Sequence, residues 1–384
     1  MFTRAYARVL VALLGGVATT TAANGGTLHV PDQYGTIQAA INAAQDGDVV
    51  LVADGTYSGD GNRDIDFAGK AITVRSQRGP EACIVDVGGS PSAYHRGFYF
   101  HSGEGQLSVL RGFTIRNGYV AEFENYWGGG IYCMSSSPTI ADCVVTDNYA
   151  ADSGGGIGCY PFAGPTIINC NITANTSPLT GAGIASLRSD PTIINCTIAD
   201  NSTTSPSGGG GVSCNADSDV TITNSILWDN EPDEIYLYNS DLVVTYCDVA
   251  GGWSGVGNIN SNPLFVDPAN GDYHLDAGSP CIDEGDPGFA YGPDDRDIDG
   301  QWRVWDGDGD GDWRVDMGSD EFGSHCPGDL DGDHDIDLAD LAGLLANYGT
   351  TSGMTPADGD LDLDGDVDIA DLAALLAVYG TTCD

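Results

Sequence analysis

A three-part phrase that occurs four times constrains the fold of this chain more than any other feature. The phrase opens with a glycine-rich run before a β-branched residue, continues through Pro-Thr-Ile or a looser variant, and closes with asparagine. The opening runs are 128–131, 154–157, 181–184 and 209–212, and the closing residues are Asn148, Asn175, Asn201 and Asn230. The spacing of 26 to 29 residues lies within the range of stacked solenoid repeats.

Each repeat contains short β-branched runs, such as residues 166–172, that are interrupted by Gly, Ser and Asn. In such a run every second side chain points to the same face. Three short strands and tight corners per repeat predict a β-helix, whose coils stack as parallel strands about 4.8 Å apart. An asparagine at the same corner of every coil can bond its amide to the next one, which predicts an asparagine ladder.

On these residues the chain resembles the right-handed parallel β-helix proteins of the pectin-lyase-like superfamily, and we assign residues 24–325 to this all-β domain. Residues 36–41 and 46–52 resemble the family's N-terminal segment, which implies a short helix that caps the first coil. Residues 112–118 resemble the coil that precedes the glycine repeats. From about residue 231 the chain resembles the closing segment of secreted bacterial β-helix proteins, which implies a polar cap over the last strand edge.

Residues 1–23 have the features of a signal peptide. Arg4 and Arg8 precede an apolar core at 9–17, and small residues at 21–23 offer a cleavage site. The apolar core is much shorter than the roughly 20 residues of a membrane-spanning helix. We therefore expect a secreted protein, extracellular or at the cell surface, without a membrane span. The net charge of −43 argues against nucleic acid or an anionic membrane as a partner.

The chain has 11 cysteines, an odd number that cannot all pair within an exported protein. Most of them share columns of the repeat, where parallel side chains hold Cβ atoms wider apart than the roughly 3.5–4.5 Å of a disulfide. We therefore expect stacked, buried thiols that act as small apolar core residues. The two columns are Cys143, Cys170 and Cys196, and Cys133, Cys159 and Cys214.

Half of the acidic residues, 28 of 56, lie between residues 283 and 384. Two loops in this region place aspartate at positions 1, 3, 5, 7, 9 and 12, which is the spacing of an EF-hand calcium loop. The expected calcium ligands are Asp329, Asp331, Asp333, Asp335, Asp337 and Asp340 in the first loop, and Asp360, Asp362, Asp364, Asp366, Asp368 and Asp371 in the second.

Each calcium loop runs into a predicted helix that carries an apolar stripe and stops at a glycine, Gly349 or Gly380. The stripes are Leu338, Leu341, Leu345 and Tyr348, and Ile369, Leu372, Leu376 and Tyr379. No helix precedes the first loop, and position 12 holds aspartate where a standard EF-hand has glutamate.

Two such loop-plus-helix units resemble the type I dockerin module over residues 326–384. The resemblance implies a small helical domain that folds with calcium and docks onto a cohesin-type partner, with contacts near 338–339 and 369–370. The sequence departs from the family at His334 and Leu363, and it lacks hydroxyl residues at the contact positions. A calcium-stabilised tail without a partner is the alternative.

Two features beside the module carry further expectations. Cys326 and Cys383 bracket the module and are expected to clasp it. Residues 306–312 alternate aspartate with glycine, which fits either a calcium loop or an acidic surface loop.

The implied fold suggests an extracellular polysaccharide as ligand, but candidate catalytic groups are few. A uronate lyase needs a basic residue, usually with calcium at the carboxylate. Between Asn117 and Asp295 only Arg188, near Asp190, offers this role, and a lone exposed arginine is more often a surface charge. Asn215-Ala216-Asp217 resembles one polygalacturonase motif without its companion motifs.

A hydrolase needs two carboxylates about 5–10 Å apart. Asp147, Asp200 and Asp229 each precede a ladder asparagine and form an acidic column, which is more often a solvated face or a weak cation site. Whether Arg188 shares a cleft with this column discriminates between an enzyme and a non-catalytic protein.

Aromatic residues near both ends of the repeat array are candidates for stacking on sugars or for packing on the coil. They are Tyr119, Phe123, Tyr126 and Trp127, and Trp228, Tyr236 and Tyr238. The sequence thus predicts a secreted, polysaccharide-associated protein that binds or degrades extracellular glycans. The alternative is a non-catalytic adhesion or structural β-helix protein with a calcium-stabilised C-terminal module.

Overall fold

A computed structural model describes most of the chain. The described residues are 25–121, 126–206, 208–289, 296–304, 314–323, 328–330, 335–351, 354, 358–361 and 366–381. The predicted signal peptide, the acidic loop at 306–312, and Cys326 and Cys383 lie outside them. Within the described ranges, no helix has the length and apolar character needed to cross a membrane.

Each central coil passes through four short strands that belong to four different parallel sheets, named A to D in chain order. One coil comprises Ile131–Cys133, Thr139–Ala141, Val144–Thr146 and Tyr149–Ala150. The same strand in successive coils pairs in parallel and in register, so that Ile140 lies opposite Ile167. The predicted parallel β-helix is therefore present, with a fourth, two-residue strand that the sequence did not indicate.

Sheets A and B hold the strands on either side of one corner of the coil. In the described residues, sheet A consists of Phe98–Phe100, Ile131–Cys133, Ile157–Cys159, Ile184–Leu187, Gly209–Asn215 and Asp233–Tyr238. Sheet B consists of Thr27–Val30, Val49–Val52, Thr73–Ser76, Val109–Arg111, Thr139–Ala141, Thr166–Ile168, Thr192–Ile194, Asp219–Thr223 and Asp241–Thr245.

Sheets C and D complete the coil. Among the described residues, sheet C consists of Gly55–Ser58, Cys83–Asp86, Thr114–Arg116, Val144–Thr146, Asn171–Thr173, Thr197–Ala199, Ile226–Trp228 and Asp248–Val249. Sheet D consists of Tyr119–Val120, Tyr149–Ala150, Thr176–Ser177 and Ser202–Thr203. The parallel strands thus continue to Val249, beyond residue 231, where the repeat phrase fades.

The core is a set of columns in which equivalent side chains stack from coil to coil. Ile140, Ile167, Ile193 and Ile222 form one such column in sheet B, and all are fully buried. β-Branched side chains suit the pleated surface of a strand, and each buried Ile contributes about 1.5–3 kcal/mol of transfer free energy. The nine described cysteines are free and buried, which confirms the predicted thiol columns.

The predicted asparagine ladder is present. The side-chain amides of Asn148, Asn175 and Asn201 each donate to the side-chain oxygen of the next asparagine at 3.1, 3.0 and 2.9 Å, and the ladder ends on Glu234. The glycine runs pass close to this ladder. A Cβ added to Gly130 would stand 2.8 Å from the carbonyl oxygen of Gly156 and 3.0 Å from the Asn148 amide, so only glycine fits there.

The two ends of the coil are closed by different segments. Helix α1, Ile37–Ala43, buries Ile37, Ala40 and Ile41 at the N-terminal end, as the family resemblance implied. Thr36 caps this helix by accepting from the backbone N–H of Ala39 at 3.2 Å. At the other end, Asn258 accepts from the Cys247 N–H at 3.0 Å and so occupies the exposed edge of the last coil.

The resemblance implied that the closing segment covers the end of the coil. The rest of this segment instead lies along the side of the coil. Ser319 contacts Asn171 and Thr197 of sheet C, and the Asn169 amide donates to the carbonyl of Arg296 at 2.6 Å. An antiparallel pair, Phe265–Asp267 with Asp272–Leu275, encloses the 3₁₀ helix Pro268–Asn270. Apolar residues such as Leu275 and Met317 pack on Ile226, which points outward from sheet C.

The C-terminal region contains the two predicted helices, α2 at Leu338–Asn347 and α3 at Ile369–Val378. Each begins with an aspartate capping box, in which Asp340 or Asp371 accepts from the backbone N–H of the capping residue. The shared core is small and consists of Ile336, Leu344, Leu361, Val367 and Leu375. The predicted stripes are largely solvent-exposed: Leu338, Leu345 and Tyr348 have exposed counterparts in Ile369, Leu376 and Tyr379.

Candidate functional site

The corner between sheets A and B carries a column of exposed side chains. Every central coil has left-handed backbone geometry at this corner: Ser135, Phe162, Arg188, Ala216, Asp217 and Asn239 have φ values of 51°, 58°, 52°, 52°, 65° and 49°. Such values are uncommon for residues other than glycine. Because they recur from coil to coil, the corner itself requires them, and side chains of successive coils therefore stand beside one another.

A column of serines beneath these turns holds them in place. The Ser189 hydroxyl accepts from the Ala163 N–H at 3.1 Å, and the Ser218 hydroxyl accepts from the Ser189 N–H at 3.2 Å. The Ser240 hydroxyl repeats the contact to the Ser218 N–H at 3.1 Å. Each coil thus satisfies buried backbone donors of the preceding one, so the exposed column rests on a rigid support.

A groove of about 400 Å³ lies over this corner, and we call it the A–B groove. It is lined by Ser137, Phe162, Ala163, Gly164, Arg188, Asp190 and Asp217. The Phe162 side chain is 76% exposed, and Arg188 forms no ion pair with a carboxylate among the described residues. An uncovered ring beside a cation and two carboxylates can stack on a sugar face and hydrogen-bond its hydroxyls.

The two carboxylates of the A–B groove are oriented by their neighbours. Asp190 Oδ1 accepts from the Asp219 N–H at 2.8 Å, and Asp217 Oδ1 accepts from the Asn239 amide at 3.2 Å. The structure therefore places Arg188 beside Asp190, as the sequence suggested, and adds Asp217, which the sequence offered only within a separate motif. Phe162 was missed, although an aromatic residue at a corner where other coils carry Ser, Arg or Asp is a visible signal.

The acidic column of Asp147, Asp200 and Asp229 lies elsewhere, at the turn that follows sheet C. Sheets B and C separate this turn from Arg188 along the coil, so the column and the arginine do not share a cleft. Asp200 accepts from the Tyr273 hydroxyl at 2.7 Å. Burial, with a smaller contribution from Asp200, raises the pKa of Asp229. The column is a partly covered acidic edge, separate from the A–B groove.

Two of the aromatic candidates, Tyr119 and Trp127, stack on rings of the next coil. The ring of Tyr119 stacks on Tyr149 at 4.4 Å between centroids, and Trp127 stacks on Tyr160 at 5.4 Å. Tyr238 is exposed on the last coil, next to Asn239 of the A–B corner. Phe123 lies outside the described residues. Phe162 and Tyr238 are therefore the exposed rings near the A–B corner in the described part of the chain.

The C-terminal helices hold part of the predicted calcium-ligand set. Carboxylate oxygens of Asp335, Asp337 and Asp340 lie within 4.8 Å of one another, as do those of Asp366, Asp368 and Asp371. Asp329 and Asp360 are buried, whereas Asp331, Asp333, Asp362 and Asp364 lie outside the described residues. The Asp340 carboxylate accepts from the N–H groups of Leu330 and Asp337, both at 2.7 Å, and Asp371 repeats this pattern with Leu361 and Asp368.

A third cluster of metal-ligand type, His274 with Asp299 and Asp320, has a different character. His274 Nε2 is hydrogen-bonded to Asp299 at 2.7 Å and Nδ1 to Asp272 at 2.5 Å. The bond to Asp299 raises the pKa of His274 to about 10. Both ring nitrogens of His274 are therefore engaged by carboxylates, which distinguishes this cluster from the all-aspartate clusters of the C-terminal region.

Comparison with known proteins supports the fold and not a reaction. Residues 176–267 match the family model described as a right handed beta helix region. Together with the observed coils, this confirms the predicted right-handed parallel β-helix. No curated protein matches the chain.

Among solved structures, the chain is similar to one described as the crystal structure of pectate lyase Pel9A. The two share 15% sequence identity with a TM-score of 0.42, over 75% of this chain and 91% of the other. At these values the likeness assigns neither a substrate nor a reaction to this chain.

Proposed function

We propose that this protein is a secreted, polysaccharide-associated protein whose β-helix binds a glycan in the A–B groove. The observation that carries the proposal is the uncovered Phe162 ring beside Arg188, Asp190 and Asp217 in one groove. A large apolar ring that stays in water has lost the burial that normally stabilises it, which suits a surface that is covered by a ligand.

The direction of the A–B corner favours an extended ligand over a compact one. Its exposed residues come from successive coils about 4.8 Å apart, so they form a row along the axis of the β-helix. A glycan laid along this row presents successive sugar rings to Phe162, Arg188 and Asp217, and the exposed Tyr238 extends the row by one coil.

The test is retention of the mature chain on a panel of neutral and acidic polysaccharides, first with calcium and then with EDTA. We expect Phe162→Ala to weaken retention about five- to thirtyfold, because a sugar stacked on an aromatic ring contributes about 1–2 kcal/mol. Leu179→Ala is the control, since Leu179 is also exposed but lies at the corner between sheets D and A. Equal retention of both variants on every polymer would rule out the A–B groove as the binding site.

A hydrolase is the second candidate function, and it is favoured by the two carboxylates in the same groove. Asp190 and Asp217 supply the residue types for a general acid and for a base or nucleophile. The measurement is the release of new reducing ends, without unsaturated products, from any polymer that is retained. We expect Asp190→Asn and Asp217→Asn to abolish product formation while retention persists. If the wild type is retained but forms no product, the protein binds the glycan without cleaving it.

For residues 326–384 we propose two calcium-binding loops and a docking function. This segment has no Lys or Arg. Its Asp340 and Asp371 side chains are nevertheless 1% and 0% exposed. Backbone N–H groups orient both carboxylates within clusters of aspartate oxygens, and such hard oxygen ligands suit calcium. The residues that would hold the ions include Asp335, Asp337 and Asp340 in the first loop, and Asp366, Asp368 and Asp371 in the second.

The docking surface is supported by the duplicated exposed stripes. Leu338 is 66% exposed and Ile369 is 64% exposed, at equivalent positions of α2 and α3. The test is capture of the full chain on an immobilised cohesin-type domain. We expect capture with calcium, loss with EDTA, and at least tenfold weaker capture of Leu338→Ser with Ile369→Ser. Leu107→Ser is the control, and absence of wild-type capture would favour a calcium-stabilised tail without a cohesin-type partner.

A further inference from the structure

The three main sheets of the coil end differently at the C-terminal end of the β-helix. Their last described strands are Asp233–Tyr238 in sheet A, Asp241–Thr245 in sheet B and Asp248–Val249 in sheet C. A loop at 250–260 lies on the last two of these strands. The Asn258 amide donates to the Val244 carbonyl at 3.0 Å, and the Val249 N–H donates to the Ile259 carbonyl at 3.1 Å. Sheets B and C therefore have hydrogen-bond partners at this end.

Sheet A has no such partner among the described residues. The backbone N–H and C=O groups of successive residues point to opposite sides of a strand. Tyr238 directs its groups to the preceding coil, where its carbonyl accepts from the Ala216 N–H at 3.1 Å. Ile235 and Leu237 therefore direct theirs to the outer edge, where the described residues supply no hydrogen-bond partner. The strand thus presents two donors and two acceptors to a further strand.

The side chains at this edge are also uncovered. Leu237 continues the inward column of Cys214, which is fully buried, yet Leu237 is 40% exposed because the described residues place no coil beyond it. Tyr238 beside it is 63% exposed. Native proteins usually blunt such an edge with charge, proline or a covering loop. The exposed charge of this strand, Asp233, lies at its first residue, so the edge from Ile235 onward is open to association.

From this geometry we infer that the protein dimerises with a second copy of itself, end to end, by antiparallel pairing of Asp233–Tyr238 with the same strand of the partner subunit. A two-fold axis at Tyr236 brings Ile235 opposite Leu237 of the partner subunit. Two such pairs form, and each exchanges two N–H···O=C bonds. A register shifted toward Asn239 loses bonds, because the Asn239 carbonyl already accepts from the Asp217 N–H at 2.7 Å.

The side chains are self-complementary in this register. Tyr236 faces Tyr236 of the partner subunit, which gives an aromatic pair across the two strands. Glu234 faces Tyr238 of the partner subunit, and Asp233 faces Asn239 of the partner subunit. No carboxylate of the strand therefore lies directly opposite another, where like charges would destabilise the pair. This match favours a second copy of the chain over a strand of unrelated sequence.

The inference is independent of the glycan and calcium sites proposed above, and it predicts a salt dependence of definite sign. Two copies of net charge −43 repel each other. Added salt screens this repulsion, since the Debye length falls from about 10 Å at 0.1 M to about 3 Å at 1 M. Sedimentation velocity of the full mature chain with calcium should show a dimer that forms as the protein concentration rises. We expect its dissociation constant to fall at least tenfold between these two salt concentrations.

The decisive variants place a charge on the two-fold axis. Tyr236→Lys and Tyr236→Glu should each weaken the dimer at least tenfold, because like charges then face each other. An equimolar mixture of the two variants should restore association as a heterodimer, which is detected by labelling one variant with a fluorophore. Leu107→Lys is the control and should dimerise as the wild type does, since Leu107 is exposed beside Val109–Arg111, far from the last coil.

Leu237→Pro tests the backbone pairing without changing the charge. Proline is tolerated on an edge strand where the N–H faces outward. The substitution removes one outward donor from each copy and therefore two of the four hydrogen bonds between the strands. We expect at least a tenfold weaker dimer with an unchanged far-ultraviolet circular dichroism spectrum.

Three outcomes would overturn the inference. The first is a wild-type chain that stays monomeric at every protein and salt concentration. The second is a mixture of Tyr236→Lys and Tyr236→Glu that remains monomeric. The third is a dimer that persists in Leu237→Pro but is lost in Leu338→Ser with Ile369→Ser, which would place the association in the C-terminal helices.

Discussion

The β-helix and the C-terminal region bury similar apolar side chains but satisfy their buried polar groups in opposite ways. In the β-helix, each ladder asparagine is neutral and finds its partner in the next coil, as Asn175 does with Asn201. In the C-terminal region the buried polar groups include the carboxylates of Asp340 and Asp371, which accept from backbone N–H groups in a segment that contains no Lys or Arg.

This difference indicates where each region obtains its stability. A repeat supplies its own hydrogen-bond partners, and its apolar columns run through many coils, so the β-helix needs nothing from outside. The C-terminal region has five buried apolar residues in its described core, with partly buried ones packed on them, which is a small core for a separate domain. Its folding is therefore expected to depend on a bound cation.

Removal of calcium should produce the largest difference between the two regions. At a calcium concentration about 1,000 times the dissociation constant, binding stabilises a domain by about 4 kcal/mol. For a domain of this length that corresponds to a shift in melting temperature on the order of 15–30 °C. Differential scanning calorimetry of the full chain should show this shift for the C-terminal transition in EDTA, and no shift for the β-helix.

Asp340→Asn with Asp371→Asn is the matched variant for this comparison. It replaces two charged ligands by neutral side chains of the same shape and should melt in calcium as the wild type melts in EDTA. If neither EDTA nor the double substitution changes the melting temperature of the C-terminal transition, the dependence on a cation is contradicted.

Substitution in the asparagine ladder should produce the reverse pattern, with an effect on the β-helix alone. The Asn201 oxygen accepts from the backbone and side chain of Asn175, so Asn201→Ala leaves buried donors without an acceptor. We expect a loss of about 3 kcal/mol in the free energy of unfolding, measured from the β-helix transition in denaturant. The exposed Asn270→Ala is the control, with an expected change below about 0.5 kcal/mol. A similar loss in both variants would show that the ladder is not a special source of stability.

The repeat explains why the coil and its ladder could be predicted from the sequence. In a solenoid each residue contacts its own equivalent one repeat away, so the spacing of Asn148, Asn175 and Asn201 already describes a tertiary contact. The capping helix at the N-terminal end was accessible through its resemblance to other β-helix proteins. In the ladder, a local sequence pattern therefore also specifies a long-range contact.

The position of the closing segment and the alignment of Arg75 with Arg111 could not be predicted in this way. Ser319 meets Asn171 across 148 residues, and no periodic feature of the sequence connects them. Arg75 and Arg111 lie on coils that precede the glycine phrases, where the spacing of the repeat is irregular, so their alignment appears only with the strand register. Phe162 stands out only after the corners of successive coils are aligned, because a single aromatic residue in a turn has no repeating counterpart.

The end of the asparagine ladder offers the sharpest and smallest test, because there the β-helix itself buries a carboxylate. Glu234 takes the next position after Asn230, and burial raises its pKa from 4.5 to about 7. The folded state then holds a proton that the unfolded state releases between these two values. The stabilisation is therefore complete below about pH 4.5 and is lost as the pH rises through about 7.

Glu234→Gln should remove this pH dependence. We expect the variant to match the wild type near pH 4 and to exceed its free energy of unfolding at pH 8 by up to about 3 kcal/mol. The β-helix transition in denaturant, followed from pH 4 to 8, measures the difference, with the exposed neighbour Glu231→Gln as control. Parallel curves for wild type and Glu234→Gln would mean that the β-helix tolerates a buried carboxylate without a cation, and the contrast with Asp340 and Asp371 would then lose its physical basis.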